Sequence, residues 1–192
     1  MVRLFVGLEF DADVQARLAT LTGGVPGARW VQPPNFHLTL RFVGEIGHDT
    51  MDDLDTMLAG IAAPAFDLSL MRTGYFGSPE SPRMLWIGTD RNSALAHLQS
   101  KIESAIVRAG LPPEPRKFIP HVTLARLRHA SGHDVTKFMA ERNLFRIDEI
   151  PVRRFTLFSS FLAHSGAIHT PEAHYELDDP VWAGAFAAAH RA

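Results

Sequence analysis

Pro34-Asn35-Phe36-His37-Leu38-Thr39-Leu40-Arg41-Phe42 is answered, eighty-four positions later, by Phe118-Ile119-Pro120-His121-Val122-Thr123-Leu124-Ala125-Arg126. On an extended strand, residues i and i+2 share a face while i+1 and i+3 take the other. His37 and Thr39 therefore point one way, and Leu38, Leu40 and Phe42 are expected to enter a core. His121 and Thr123 likewise oppose Val122 and Leu124. If halves carrying these strands pack about a pseudo-twofold axis, two imidazoles and two hydroxyls converge on one cleft.

Working outward, each half opens on a similar strand: Arg3-Leu4-Phe5-Val6-Gly7-Leu8 resembles Arg83-Met84-Leu85-Trp86-Ile87-Gly88. Between that strand and the HxTL segment lies a helical pattern. Asp11 or Asp13 can cap a helix carrying Val14, Leu18 and Leu21, stopped by Gly23-Gly24. Asn92 or Ser93 can cap another with Leu95, Leu98, Ile102, Ile106 and Ala109 at steps of three and four, stopped by Gly110 and Pro112. After each HxTL strand comes a second helix. The first has a capping pair Thr50 and Asp53 with Met51, Leu54, Leu58 and Ile61 as its stripe; the second starts at Asp134, with Val135, Phe138 and Met139 inward. Phe66-Leu70, Val152-Phe158 and His174-Leu177 read as strands, and Gly77-Pro82 and Ala163-Pro171 as loops. The order β-α-β-α-β, twice, predicts an α+β protein of two pseudo-symmetric β-sheet lobes with outer helices around a central cleft. Residues 1–192 are expected to form one bilobal domain, with pseudo-repeats near 1–80 and 81–180. Residues 181–192 would be a tail, in which Val181-Ala189 reads as a short helix or frayed end.

Composition narrows the function classes. With 192 residues, 46% hydrophobic and 21% charged, the chain can bury a sizeable core, which excludes global disorder. Nineteen Lys and Arg against 21 Asp and Glu leave a net charge of -2, so no global positive field holds a nucleic-acid duplex. Any such contact is local, and Arg116-Lys117 and Arg153-Arg154 are candidates for guiding an RNA terminus. The absence of cysteine excludes disulfides and thiol catalysis. MVRLFVGLEF is too short in its apolar core for a signal peptide, and the longest uncharged run, Phe155 to Pro171, carries His164 and His169, so no membrane span is expected.

Paired histidines suit phosphoryl chemistry. Near neutrality one imidazole can accept a proton from water while the other donates one to a leaving oxygen, and threonine hydroxyls can meet the nonbridging oxygens. No metal or other cofactor is needed. An isolated HxTL arises by chance in many proteins; two copies at equivalent points of matching halves do not read that way. His129 with His133, and His164, His169 and His174, invite a metal reading, but neither set has a zinc-site spacing or a carboxylate cluster, so solvated histidines are expected. No GxGxxG, P-loop or GxSxG motif is present.

On Arg3-Leu4-Phe5-Val6-Gly7, Arg29-Trp30-Val31, the run from Pro34 to Glu45 and the run from Phe118 to Arg126, the chain resembles the 2H phosphoesterases, and among them the RNA 2',3'-cyclic phosphodiesterases formerly called 2'-5' RNA ligases. The resemblance implies a metal-free cleft with His37 as proton donor and His121 as proton acceptor. Thr39, Thr123 and Arg126 would hold the phosphate. It also implies an RNA 3' end or nucleotide bearing a 2',3'-cyclic phosphate as substrate, a 2'-phosphate product and possible reversal to a 2'-5' linkage. A cytoplasmic monomer is expected. Rival readings are a relative acting on another cyclic phosphate or a 2'-5' oligonucleotide, and a non-catalytic RNA-end-binding module. Strict alternation puts Arg126 opposite His121, so either the strand bulges near Ala125 or the guanidinium curls around its end. His169 stands near where the family has a tyrosine. Phe5, on a face with Arg3 and Gly7, is a candidate for stacking on a base.

Overall fold

Nine strands hydrogen-bond in the order β7-β4-β5-β6-β3-β1-β8-β9, with β2 added beside β6, in a computed structural model that describes residues 2–163 and 166–179. The elements are β1 (Val2–Glu9), α1 (Ala12–Ala19), β2 (Ala28–Trp30), a 3-10 turn (Pro33–Asn35), β3 (His37–Ile46), α2 (His48–Ala59), β4 (Phe66–Ser78), β5 (Ser81–Thr89), α3 (Ser93–Arg108), β6 (His121–Leu127), α4 (Gly132–Glu141), β7 (Arg146–Val152), β8 (Arg154–Ala163) and β9 (Gly166–Glu176). Every ladder is antiparallel, and the two halves join through β3 and β6 at one pair, Leu38 opposite Val122. The lobes are thus two wings of one curled sheet.

The wings do not divide at residue 80. One is built from β1, β3, β8 and β9, the other from β2, β4, β5, β6 and β7; the chain lends β2 to the second wing between β1 and β3, then builds β4 to β7 there and returns for β8 and β9. The register also refines the repeat: Gly7 lies opposite Thr39 as Trp86 lies opposite Thr123, and Phe5 opposite Phe42 as Met84 lies opposite Arg126. Strand β1 therefore maps onto β5 at an offset of seventy-nine, one less than the side-by-side reading of the sequences.

Local chemistry explains most elements. Asp11 accepts from the Val14 amide at 2.9 Å and caps α1; Asn92 accepts from Leu95 at 2.9 Å and caps α3. Two caps differ from expectation. Helix α2 starts after Gly47, whose lack of a side chain leaves it without a side-chain cap, so the pair Thr50 and Asp53 lies inside the helix. Helix α4 starts after Ser131, which accepts from the Asp134 amide at 3.1 Å and donates to the Asp134 carboxylate at 2.7 Å. Both expected loops are hairpins: Ser78 faces Ser81, and β8 pairs with β9 down to Ala163 opposite Gly166. Their Gly, Pro and His content obscured an alternation that the ladder enforces. Val181-Ala189 lies outside the described residues.

The core fills the side of the sheet that meets the helices. Leu4, Val6, Leu8, Leu38, Leu40, Val122 and Leu124 belong to it with Leu18, Leu98, Ile102 and Ile106, whereas the buried Phe5 and Phe158 lie outside that cluster, on the other face. Strand β9 is pinned to α2 by Tyr175, whose hydroxyl donates to Asp55 at 2.6 Å and whose ring stacks on Phe155 at 4.9 Å. Among the described residues, no helix is long and apolar enough to cross a membrane.

Candidate active site

Each HxTL leucine at the fourth position has no partner in its ladder. Val6 and Gly7 face Arg41 and Thr39, skipping Leu40; Leu85 and Trp86 face Ala125 and Thr123, skipping Leu124. These are β-bulges at the same motif position, and each turns two successive residues, Leu40 with Arg41 and Leu124 with Ala125, away from solvent. Parity then flips. Arg126 returns to the exposed side with His121, which resolves its parity in favour of the bulge. The same device brings out Phe42, 49% exposed, which strict alternation had sent into the core. Arg41 is buried in its place, donating to Glu103 at 2.5 Å, to the Pro112 carbonyl at 2.6 Å and to the Phe42 carbonyl.

The two imidazoles are held alike. His37 Nδ1 lies 2.8 Å from the Asn35 carbonyl, and His121 Nδ1 2.7 Å from the Ile119 carbonyl. A carbonyl oxygen only accepts, so Nδ1 carries the proton in both rings and Nε2 is left for another partner. The prolines before each histidine, in the 3-10 turn Pro33–Asn35 and at Pro120, set the chain so that residue i-2 can reach back to the ring.

Their surroundings differ. His37 packs on Phe5 at 4.8 Å and against His169 edge-on at 4.8 Å, with Phe158 at 6.1 Å. Burial pushes its pKa down to about 4; the Asn35 carbonyl opposes this, and the nearby His169, His121 and Arg126 add to it. His121 packs against Phe76 at 4.9 Å and Trp86 at 6.2 Å, and burial lowers its pKa against the opposing Ile119 carbonyl. Trp86 can lie flat across β4 because Gly74 has no side chain: a Cβ there would sit 2.3 Å from the indole. His169 is also held below the ordinary histidine value, by burial and by Arg126, and its Nδ1 is buried without a hydrogen-bond partner.

Thr39 and Thr123 sit partly buried beside their histidines, and Thr123 Oγ1 meets Met84 Sδ at 3.4 Å. Phe5 does not fit a base-stacking role. It is 2% exposed, stacked on Phe158 at 4.8 Å and 11°, and touched by His37, His169 and Phe42, so neither face is open. It supports the His37 ring. The aromatic exposed beside Phe5 is Phe42, which the sequence concealed until the bulge was known; the parity question raised at Arg126 applied equally five residues after His37. A cavity of about 510 Å³ borders His37 between Asn35, Phe158 and His169, with Arg153 and Arg154 on its wall. Arg154 is paired with Glu9 at 3.3 Å, and Arg116 with Glu114 at 2.7 Å. Among the described residues, no three His, Asp or Glu side chains gather as a metal site. His174 is engaged with Thr156 at 3.0 Å, and His164 lies outside the described residues.

The family model described as LigT like Phosphoesterase matches the chain twice, over residues 8–86 and 87–169. The chain belongs to this family. The start of the second match, seventy-nine residues after the first, repeats the offset that the strand register gives. A relative from Aeropyrum pernix, an RNA 2',3'-cyclic phosphodiesterase, is 32% identical over 148 residues, covering 76% of this chain and 84% of its own. One of the same name from Thermotoga maritima is 28% identical over 174 residues, covering 88% and 91%. Among solved structures, Escherichia coli LigT complexed with 3'-AMP superposes with a TM-score of 0.72 at 26% identity, covering 92% of this chain and 98% of that one. The α+β curled sheet of this LigT like phosphoesterase is thus the fold of its relatives.

Proposed function

We propose that this chain hydrolyses a terminal 2',3'-cyclic phosphate of RNA or of a nucleotide to a 2'-phosphate, with His121 as base and His37 as acid. His121 Nε2 takes a proton from water, the water oxygen bonds to phosphorus in line, the bond from phosphorus to O3' breaks, and His37 Nε2 protonates O3'. Thr39, Thr123 and the Arg126 guanidinium donate to the nonbridging oxygens. Phe42 offers a face for the terminal base, and the RNA leaves along the His37 side past Arg153. The enzyme works as a cytoplasmic monomer, and the same step with an RNA 5'-hydroxyl replacing water as nucleophile makes a 2'-5' linkage.

The observation that carries this reading is the matched pair of imidazoles, each fixed through Nδ1 by a carbonyl two residues upstream. A binding module would not need both Nε2 atoms free. His37 is neutral in the unliganded site, and a bound phosphate anion restores its proton by attracting the imidazolium and by neutralising Arg126. The test is an assay on adenosine 2',3'-cyclic phosphate with identification of the product. Release of the 2'-phosphate, undiminished in excess chelator because side chains supply acid, base and charge stabilisation, is the expected outcome. Release of the 3'-phosphate, or loss of turnover restored by a divalent ion, would overturn it.

A further inference from the structure

The wings differ most beyond the phenylalanine that packs on each histidine. Phe158 lies opposite Phe5 as Phe76 lies opposite Met84, so the two rings are equivalent. In the His37 wing, β9 runs beside β8 and His169 covers that side, 5.0 Å from Phe5. In the His121 wing, β7 pairs with β4 only between Phe66 and Met71, and among the described residues no strand flanks Phe76 on the side away from β5. A cavity of about 520 Å³ opens there, between Phe76, Ser78, Ser81, Arg83, Met84 and Arg126. The hairpin that forms its floor is held tight: Gly77 has φ +114, and a Cβ on it would sit 2.4 Å from the Ser81 carbonyl oxygen. Arg83 and Arg126 have no carboxylate partner among the described residues, unlike Arg41, Arg116, Arg142, Arg146 and Arg154.

A water nucleophile occupies roughly 30 Å³, so hydrolysis leaves this space unused. We infer that the hairpin cavity is a subsite for a second nucleotide, the one joined through its 5'-oxygen to the reacting phosphate, and that Arg83 meets that nucleotide's own 3'-phosphate. The inference rests on the reading above, because it takes His121 as the group on the side where the nucleophile enters. On a 2'-5' linked RNA the step balances without a further reactant. The free O3' gives its proton to His37 Nε2 and bonds to phosphorus; the bond from phosphorus to O5' breaks; O5' takes a proton from His121 Nε2. The products are a 2',3'-cyclic phosphate and a 5'-hydroxyl nucleotide lying on Phe76. Arg83 is then a specificity residue for two-nucleotide substrates and spectator to hydrolysis of a cyclic mononucleotide.

Three substrates separate the possibilities: adenosine 2',3'-cyclic phosphate, the 2'-5' linked dinucleotide of adenosine, and the same dinucleotide carrying a 3'-terminal phosphate. They are assayed with wild type, Arg83→Ala and Arg83→Lys. The expected result is cyclic phosphate hydrolysis within about twofold of wild type in both variants, since Arg83 is exposed and outside the hydrolytic site. On the phosphorylated dinucleotide, Arg83→Ala loses about ten- to a hundredfold in kcat/KM, mainly through KM, and Arg83→Lys regains part of it. On the dinucleotide without that phosphate, Arg83→Ala loses less than about threefold. Equal losses on both dinucleotides, no loss on either, or a wild type that opens the cyclic phosphate but cleaves neither dinucleotide would overturn the subsite. A wild type inert on the cyclic phosphate strikes the underlying reading instead.

Discussion

The strand of His37 and the strand of His121 share a motif, a bulge and an Nδ1 tether, yet end in opposite chemistry. Beyond the bulge, five residues past the histidine, one presents Phe42 and the other Arg126. Under the ring, one has Phe5 against Phe158, the other Met84 against Phe76. One histidine is walled by β9 and neutral to about pH 4; the other borders an open hairpin and is less strongly perturbed. Backbone symmetry therefore supplies two equivalently tethered imidazoles, and in the proposed mechanism the asymmetry of their surroundings gives them different work. Under that proposal, a fold that duplicates a site divides acid from base, and base-binding wall from phosphate-binding wall, by substitutions on the motif strands and by an extra strand, β9, on one side only.

The comparison is broken most severely at the histidines. His37→Ala and His121→Ala are each expected to lose about a hundred- to ten-thousandfold in kcat on adenosine 2',3'-cyclic phosphate, and the double variant far less than the product of the two. Both should melt cooperatively, because neither ring belongs to the core. A folded variant with near wild-type turnover removes that wing from the chemistry.

Arg126→Ala comes next, at roughly ten- to a thousandfold, chiefly in kcat if the guanidinium meets developing charge. An effect confined to KM would mean that it holds ground and transition states alike.

Unequal burial also predicts a pH signature. The kcat/KM profile reports the free enzyme, so its maximum should lie between about 4 and the His121 value, which is itself below 6.5, and the rate should fall through neutrality by up to about tenfold per pH unit. The alkaline limb of kcat should lie higher, because the bound phosphate anion raises the His37 pKa. Coincident alkaline limbs in the two profiles would show that substrate does not recharge His37.

The smallest effect belongs to the aromatic wall. Phe42→Ala should raise KM about fivefold on a cyclic nucleotide with little change in kcat, the low end of what one base stacked on an aromatic ring contributes. A kcat loss as large as that of Arg126→Ala would mean that the wings do not divide the labour in this way.

Sequence periodicity alone determined that two HxTL strands lie at matching places in an α+β chain, with their histidines and threonines opposite Leu38, Leu40, Val122 and Leu124. Alternation and helical spacing are local properties of the backbone, legible without knowing what each element touches. It also narrowed each cap to two neighbours, Asp11 or Asp13 and Asn92 or Ser93, because caps bond within three residues; the structure chooses Asp11 and Asn92. The bulges at Leu40 and Leu124 were beyond its reach, because a residue left out of a ladder is defined by the strand across from it. With them went the exposure of Phe42, the burial of Arg41 against Glu103 and the orientation of Arg126. The return of β8 and β9 beside β1 likewise depends on contacts about 150 residues apart, such as Leu4 with Ser159. That return sets His169 against His37, seals Phe5 and leaves the other wing open. Which residues are candidates for the chemistry was written in the local pattern; which way they face and how far burial lowers their pKa values was decided by non-local pairing.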